Sequence, residues 1–152
     1  MYDKILVPVD GSPTSQRGLE EAMRLAKLCG AQLRLVHVVD LLSFNLAAAG
    51  DAGMTAELWD ALKEGGQQIL ARARDQVAAA GLAVDTHLFE NLAGRVADLV
   101  VDEARQWGAS LIVLGTHGRR GVGRLMLGSD AEQVARHASV PVLLVRAPDV
   151  SA

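Results

Sequence analysis

Between residues 115 and 129 the chain reads Gly115-Thr116-His117-Gly118, then nine residues, then Gly128-Ser129. Glycines at 115 and 118 permit positive φ and close approach of the backbone, so that successive N–H groups can face one anion. Gly128-Ser129 would add the open N–H groups and the hydroxyl of a helix start. Together these suit a polyphosphate lying between the Gly115/Gly118 pair and Gly128-Ser129. Arg119, Arg120 and Arg124 fall in the same stretch and could neutralise phosphate charge from the solvent side, although each alone reads as an ordinary solvated residue. Ser129 followed by Glu132 also fits a capping box, a structural use compatible with phosphate binding.

Other nucleotide and catalytic patterns are missing. No Gly-x4-Gly-Lys-Ser/Thr loop occurs, and Gly121-Val122-Gly123 neither follows a strand nor continues into Gly-x-Gly-x-x-Gly, so P-loop hydrolysis and NAD binding are poor readings. His37, His87, His117 and His137 show no metal-ligand spacing, and no serine sits in a Gly-x-Ser-x-Gly elbow. His37 reads as a buried, satisfied strand residue, Trp59 and Trp107 as helix packing, and Cys29 as an inert side chain near a helix end. The expectation is a binding protein and not an enzyme.

The elements that must position the glycine motif alternate along the chain. Apolar runs of strand length lie at Ile5 to Val9, Leu33 to Val39, Val84 to Phe89, Leu111 to Leu114 and Val142 to Val145. Helical spacing lies between them, with Leu19, Ala22, Met23 and Ala26 on one face and Val96, Leu99, Val100 and Ala104 on another. Ser12-Pro13 reads as an N-cap followed by a first helical residue, and Gly30 as the C-terminal cap, which predicts a helix over Pro13 to Cys29. A long helix is expected from about Thr55 to Ala80, through Gly65-Gly66. The stretch Leu41 to Met54 reads as a loop or as an extension of that helix.

Strands alternating with helices predict a single α/β domain over residues 1–147, with a parallel sheet, helices on both faces and a short tail at 148–152. Ligands in such sheets bind beyond the carboxyl ends of the strands, where the winding reverses. Asp10-Gly11-Ser12, Val39-Asp40, Glu90-Asn91 and Gly115 to Gly118 therefore matter most. Asp10 fits either a brace for the turn into the first helix or a ligand. The run Val140 to Arg146 lacks polar alternation and, as an edge strand, would invite a second copy. Asp85, His87 and Glu90 mark the third strand as a solvent-facing edge.

Composition bounds the rest. With 152 residues, half of them apolar, the chain can bury roughly 70% of its unfolded surface. A net charge of −3 gives no field for nucleic acid or anionic membrane, and the scarcity of aromatic rings argues against an RNA-stacking platform. One cysteine and no long apolar run fit a cytoplasmic protein without disulfides or a membrane span.

The motif Gly115, Gly118, Gly128 and Ser129, with Lys4 to Ser12, His37-Val38-Val39 and Val140 to Arg146, resembles the ATP-binding branch of the universal stress protein family over nearly the whole chain. The resemblance implies a Rossmann-like three-layer fold with strand order 3-2-1-4-5 and a homodimer formed through the fifth strand. It also implies ATP, with or without Mg²⁺, held by Pro8, Val9 and Asp10 beside the nucleoside, by the Val38 backbone at adenine, and by Gly115, Thr116, His117, Gly118, Arg119, Gly128, Ser129 and Asp130 around the phosphates. Asp130 departs from the apolar residue common there; its carboxylate would repel a phosphate or hold Mg²⁺. The implied role is regulatory or stress-protective, the alternatives being an interaction protein with a vestigial site or a slow ATPase.

Overall fold

The structure, a computed structural model, describes residues 1–40, 55–91, 93–116 and 127–147. Five strands, β1 (Lys4–Pro8), β2 (Gln32–Asp40), β3 (Val84–Asn91), β4 (Leu111–Gly115) and β5 (Val142–Val145), form one parallel sheet in the order β3-β2-β1-β4-β5. Four helices accompany them among the described residues: α1 (Pro13–Cys29), α2 (Ala56–Ala79), α3 (Val96–Trp107) and α4 (Ser129–His137). Parallel neighbours require crossovers, and the helices supply them.

Both sheet faces are covered, which is why the central strands read as continuous apolar runs. Ile5, Val7, Leu33, Leu35, Leu111 and Val113 bury one face against α1 and α2, through Leu19, Ala22, Ala26, Leu70, Ala73 and Val77. Leu6, Val36, Ile112 and Leu114 bury the other against α3 and α4, through Ala97, Val100, Val101, Ala104, Ala131 and Val134. The winding reverses between β1 and β4, so α1 and α4 begin on opposite faces of one crevice.

The helix punctuation follows the sequence closely. Ser12 caps α1, its side chain accepting from Ser15 N at 3.2 Å, and Pro13 takes the first helical position. Gly30 ends α1 at φ 69°. Thr55 caps α2 in the same way, accepting from Leu58 N. Gly66 explains part of the Gly65-Gly66 pair: a Cβ there would lie 2.7 Å from His37 Cδ2 and 3.0 Å from Leu88 Cδ1, so its absence lets α2 settle onto β2 and β3. The expected loop at Leu41 to Met54 and the tail at 148–152 lie outside the described residues.

A partly buried ionic cluster on the α3 face was not foreseen. Arg34 donates from Nε and Nη2 to the two oxygens of Asp85, at 2.7 and 3.0 Å, and from Nη1 to Glu103 at 2.7 Å. Its guanidinium lies 4.6 Å from the Trp107 ring centroid, with Lys4 Nζ at 5.4 Å from the same ring. Trp107 thus serves as a cation platform as well as helix packing. The bonds to Asp85, then those to Glu103, raise the Arg34 pKa, so the guanidinium keeps its charge despite partial burial.

Candidate functional site

The turn after β1 is built by three short bonds. Asp10 Oδ1 accepts from Ser12 N at 2.9 Å, Ser15 Oγ accepts from Asp10 N at 3.1 Å, and Ser12 Oγ accepts from Ser15 N. Gly11 between them stands at φ 81°, a left-handed conformation that glycine adopts without strain. Asp10 is therefore a turn brace, and the brace fixes its carboxylate at the mouth of the crevice.

Val38 is positioned by register. In a parallel ladder the N–H and C=O of one residue point toward the same neighbour, and successive residues alternate. Val36 O accepts from Val9 N at 2.8 Å, so Val36 faces β1; Val38, two residues on, faces the same way, but the β1 pairing stops at Pro8 opposite Val36. On its other edge β2 stays paired with β3 as far as Asp40 opposite Asn91. The Val38 N–H and C=O therefore look into the space beyond Val9. His37 steadies this end: its Nδ1 lies 2.7 Å from Val9 O, and because a carbonyl only accepts, Nδ1 carries the proton. His37 is half-buried, more open than the sequence suggested.

Asn91 closes the ends of β2 and β3. Asn91 has 3% residual exposure, and its side-chain amide donates to Asp40 Oδ1 at 3.1 Å and to Gly94 O at 3.2 Å. The sequence marked Asp40 and Asn91 only as residues following strands; their pairing depends on strand register and has no local signal.

Gly115 corrects one expectation. It is not among the positive-φ glycines; its role is close approach, since a Cβ there would meet Thr14 C, O and Cγ2 at 2.8 Å. Gly18 is its counterpart on α1, where a Cβ would stand 3.2 Å from Gly115 N. Two glycines bring the first turns of α1 against the end of β4.

The two halves of the glycine motif meet directly. Gly128 N donates to Thr116 O at 2.6 Å, while Thr116 N donates to Val145 O at 3.0 Å. Gly128 is the N-cap of α4, and the first helical bond runs from Glu132 N to Gly128 O at 2.9 Å. Ser129 is thus the first helical residue and not the cap, which overturns the capping-box reading: that motif needs its serine one position earlier. The N–H groups of Ser129, Asp130 and Ala131 have no acceptor within the helix. Ser129 and Asp130 are exposed, and Asp130 and Glu132 place two carboxylates in this first turn. His117, Gly118 and Arg119, with Arg120 and Arg124, lie outside the described residues.

Pro8, Val9, Asp10, Val38, Gly115, Thr116, Gly128, Ser129 and Asp130 accordingly gather at the carboxyl ends of β1, β2 and β4. A cavity of about 170 Å³ adjoins them between α1 and α2, lined in part by Val9, Gly11, Ser15 and Arg72. A larger open hollow of about 550 Å³ lies at the opposite end of the sheet, by Asp3, Lys27, Gly30 and Gly81, away from these groups. Among the described residues no group of three His, Cys, Asp or Glu is placed to hold a metal, and no helix is long and apolar enough to cross a membrane.

A five-stranded parallel sheet of this order with helices on both faces defines a three-layer, doubly wound α/β protein. Residues 1–146 match the model of the universal stress protein family. Universal stress protein MJ0531 of Methanocaldococcus jannaschii is 37% identical over 149 residues, 97% of this chain and 84% of the relative. Among solved structures, that of hypothetical protein MJ0577 superposes with a TM-score of 0.81 at 25% identity, covering 97% of both chains. A universal stress protein solved in complex with cAMP gives 0.68 at 27% identity, covering 95% of this chain and 97% of the other. The Archaeoglobus fulgidus protein in complex with dAMP gives 0.68 at 25% identity, with 95% and 98% coverage. The chain belongs to the universal stress protein family.

Proposed function

We propose that this chain binds ATP in the crevice between β1 and β4 and acts as a homodimeric regulatory or stress-protective protein of the cytoplasm. The observation that carries the reading is the 2.6 Å bond from Gly128 N to Thr116 O, which brings the start of α4 against the end of β4. Phosphates would lie along Gly115 to Gly118 and on the first turn of α4, with Arg119 offsetting their charge. Adenine would reach Val38, whose N–H suits the acceptor N1 and whose C=O suits the N6 amine; guanine presents the opposite pair. Pro8 and Val9 would flank the nucleoside and Asp10 would accept from the ribose. That two relatives are solved with cAMP and dAMP supports an adenine nucleotide.

The homodimer reading rests on β5, whose four apolar residues are only half-buried on the open edge of the sheet. With no catalytic set in the sequence, the protein is proposed to hold the nucleotide and not to turn it over. An interaction protein with a vestigial site is the second reading, favoured by the two carboxylates in the α4 turn where phosphate would dock.

Two variants test the site. Ser129→Ala should weaken ATP about tenfold, since a hydrogen bond to a charged group contributes roughly 1.5 kcal/mol. Its melting temperature without ligand should stay unchanged, because Ser129 is exposed and caps nothing. Calorimetric titration reads the first and a thermal melt the second; equal ATP affinity in the variant would remove Ser129 from the site. Asp130→Asn separates repulsion from metal binding: affinity rises in EDTA if the carboxylate repels phosphate, and falls in excess Mg²⁺ if it holds the ion.

A further inference from the structure

Val9, the residue after β1, has its two backbone groups held by different kinds of partner. Its N–H donates to Val36 O at 2.8 Å, which continues the ladder between β1 and β2. In a parallel ladder a residue that donates to one carbonyl accepts from the N–H two residues further along the same neighbour. The partner due to Val9 O is therefore the Val38 N–H. The structure gives that carbonyl to a side chain instead: His37 Nδ1 donates to it at 2.7 Å, and the backbone pairing ends at Pro8 opposite Val36. Nor does β3 take the Val38 N–H, because the odd-numbered residues of β2 turn their backbones that way, as Leu33 N does in donating to Ala83 O. The imidazole is seated from its other side by α2. A Cβ on Gly66 would lie 2.7 Å from His37 Cδ2 and 3.2 Å from Nε2, so glycine leaves the ring room between α2 and Val9.

Resting on the reading above, we infer that His37 is a positioning residue for base recognition: by taking the Val9 carbonyl, its imidazole stops the β1–β2 ladder one rung early and keeps the Val38 N–H for the adenine ring. Without that donor, one more rung would satisfy Val9 O and Val38 N–H together, and the strand end would close on itself. The side chain thus substitutes for a backbone group, and the backbone group it displaces becomes a reader of the ligand. His37 touches no nucleotide in this account; it acts through Val9 and Val38.

The test compares the unaltered protein with His37→Phe, which keeps a ring under Gly66 but no donor, and with His37→Asn, whose amide nitrogen stands near the place of Nδ1. Two readouts are used: amide hydrogen exchange of the ligand-free proteins by NMR, and titration with ATP and with 1-deaza-ATP, in which carbon replaces N1. In His37→Phe the Val38 amide should exchange at least about tenfold more slowly than in the unaltered protein, because its N–H has joined the ladder. ATP should weaken about tenfold and 1-deaza-ATP stay unchanged, so that the preference between them disappears. His37→Asn should keep both the fast exchange and the ATP affinity. If His37→Phe folds poorly, His37→Leu gives the same comparison. A Val38 amide that exchanges as fast as before, or a retained preference for ATP over 1-deaza-ATP in the variant lacking the donor, overturns this inference alone. So does a His37→Asn protein that behaves like His37→Phe. An unaltered protein that binds the two nucleotides equally, or binds neither, overturns the reading beneath it.

Discussion

Glu103→Ala is expected to lower unfolding stability by about 2–3 kcal/mol, a large loss for removal of one polar side chain. The Glu103 carboxylate is only 6% exposed and accepts from Arg34 Nη1 at 2.7 Å, with His87 Nδ1 at 3.5 Å. Deleting it leaves the guanidinium partly buried against Trp107 without one of its two acidic partners. Deprotonation offers no escape, because the remaining pair with Asp85 favours the charged form. Breaking a fully buried pair typically costs about 3–5 kcal/mol; the lower value here reflects the 24% exposure of the Arg34 side chain and its two bonds to Asp85. Arg34→Met with Glu103→Leu should recover most of the loss, since removing both charges removes the desolvation cost as well. Urea unfolding measures all three proteins. A Glu103→Ala loss below about 0.5 kcal/mol would mean that the cluster is effectively solvated.

Gly115→Val is expected to cost about 3 kcal/mol and to abolish nucleotide binding with it. The new Cβ would stand 2.8 Å from the Thr14 backbone, which cannot rotate aside as a flexible side chain can. α1 must then withdraw from β4, disturbing Gly18 and the braced turn at Asp10. Gly115→Ala brings the same Cβ and should cost about 2 kcal/mol in the same unfolding experiment. A fully stable Gly115→Ala protein would show that α1 and β4 are not held this closely. Loss of binding at Gly115 therefore reports packing, and Ser129 is the cleaner probe of phosphate contact.

The layout of the fold was legible because its strands are buried on both faces and its helices carry local stop signals. Ile5 to Val9 and Leu111 to Leu114 could hardly be anything but central strands, and Ser12-Pro13 and Gly30 bounded α1 to the residue. β3 was harder: it runs on to Asn91, past the last apolar residue, because Glu90 and Asn91 pair through their backbones with Val39 and Asp40. Side-chain polarity carries no trace of that.

Site residues divided in the same manner. The motif spacing marked Gly115, Gly128 and Ser129, yet of the two uses expected for Gly115 positive φ is not realised, and the close approach is to Thr14, about a hundred residues earlier, where an anion was expected. The capping box failed by one residue, since nothing in Ser129-Asp130-Ala131-Glu132 reveals that Gly128 already serves as the cap. Arg34, Asp85 and Glu103 come from three separate elements, and only the folded sheet and α3 unite them.

The central claim is an adenine-selective polyphosphate site, and calorimetric titration of the freshly purified protein, stripped of any bound small molecule, with ATP and then GTP tests it most directly. Saturable binding of one ATP per chain, with GTP at least tenfold weaker because its ring mismatches the Val38 N–H and C=O, is the predicted result. No saturable binding of ATP at millimolar concentration, or equal affinity for the two nucleotides, would contradict the account.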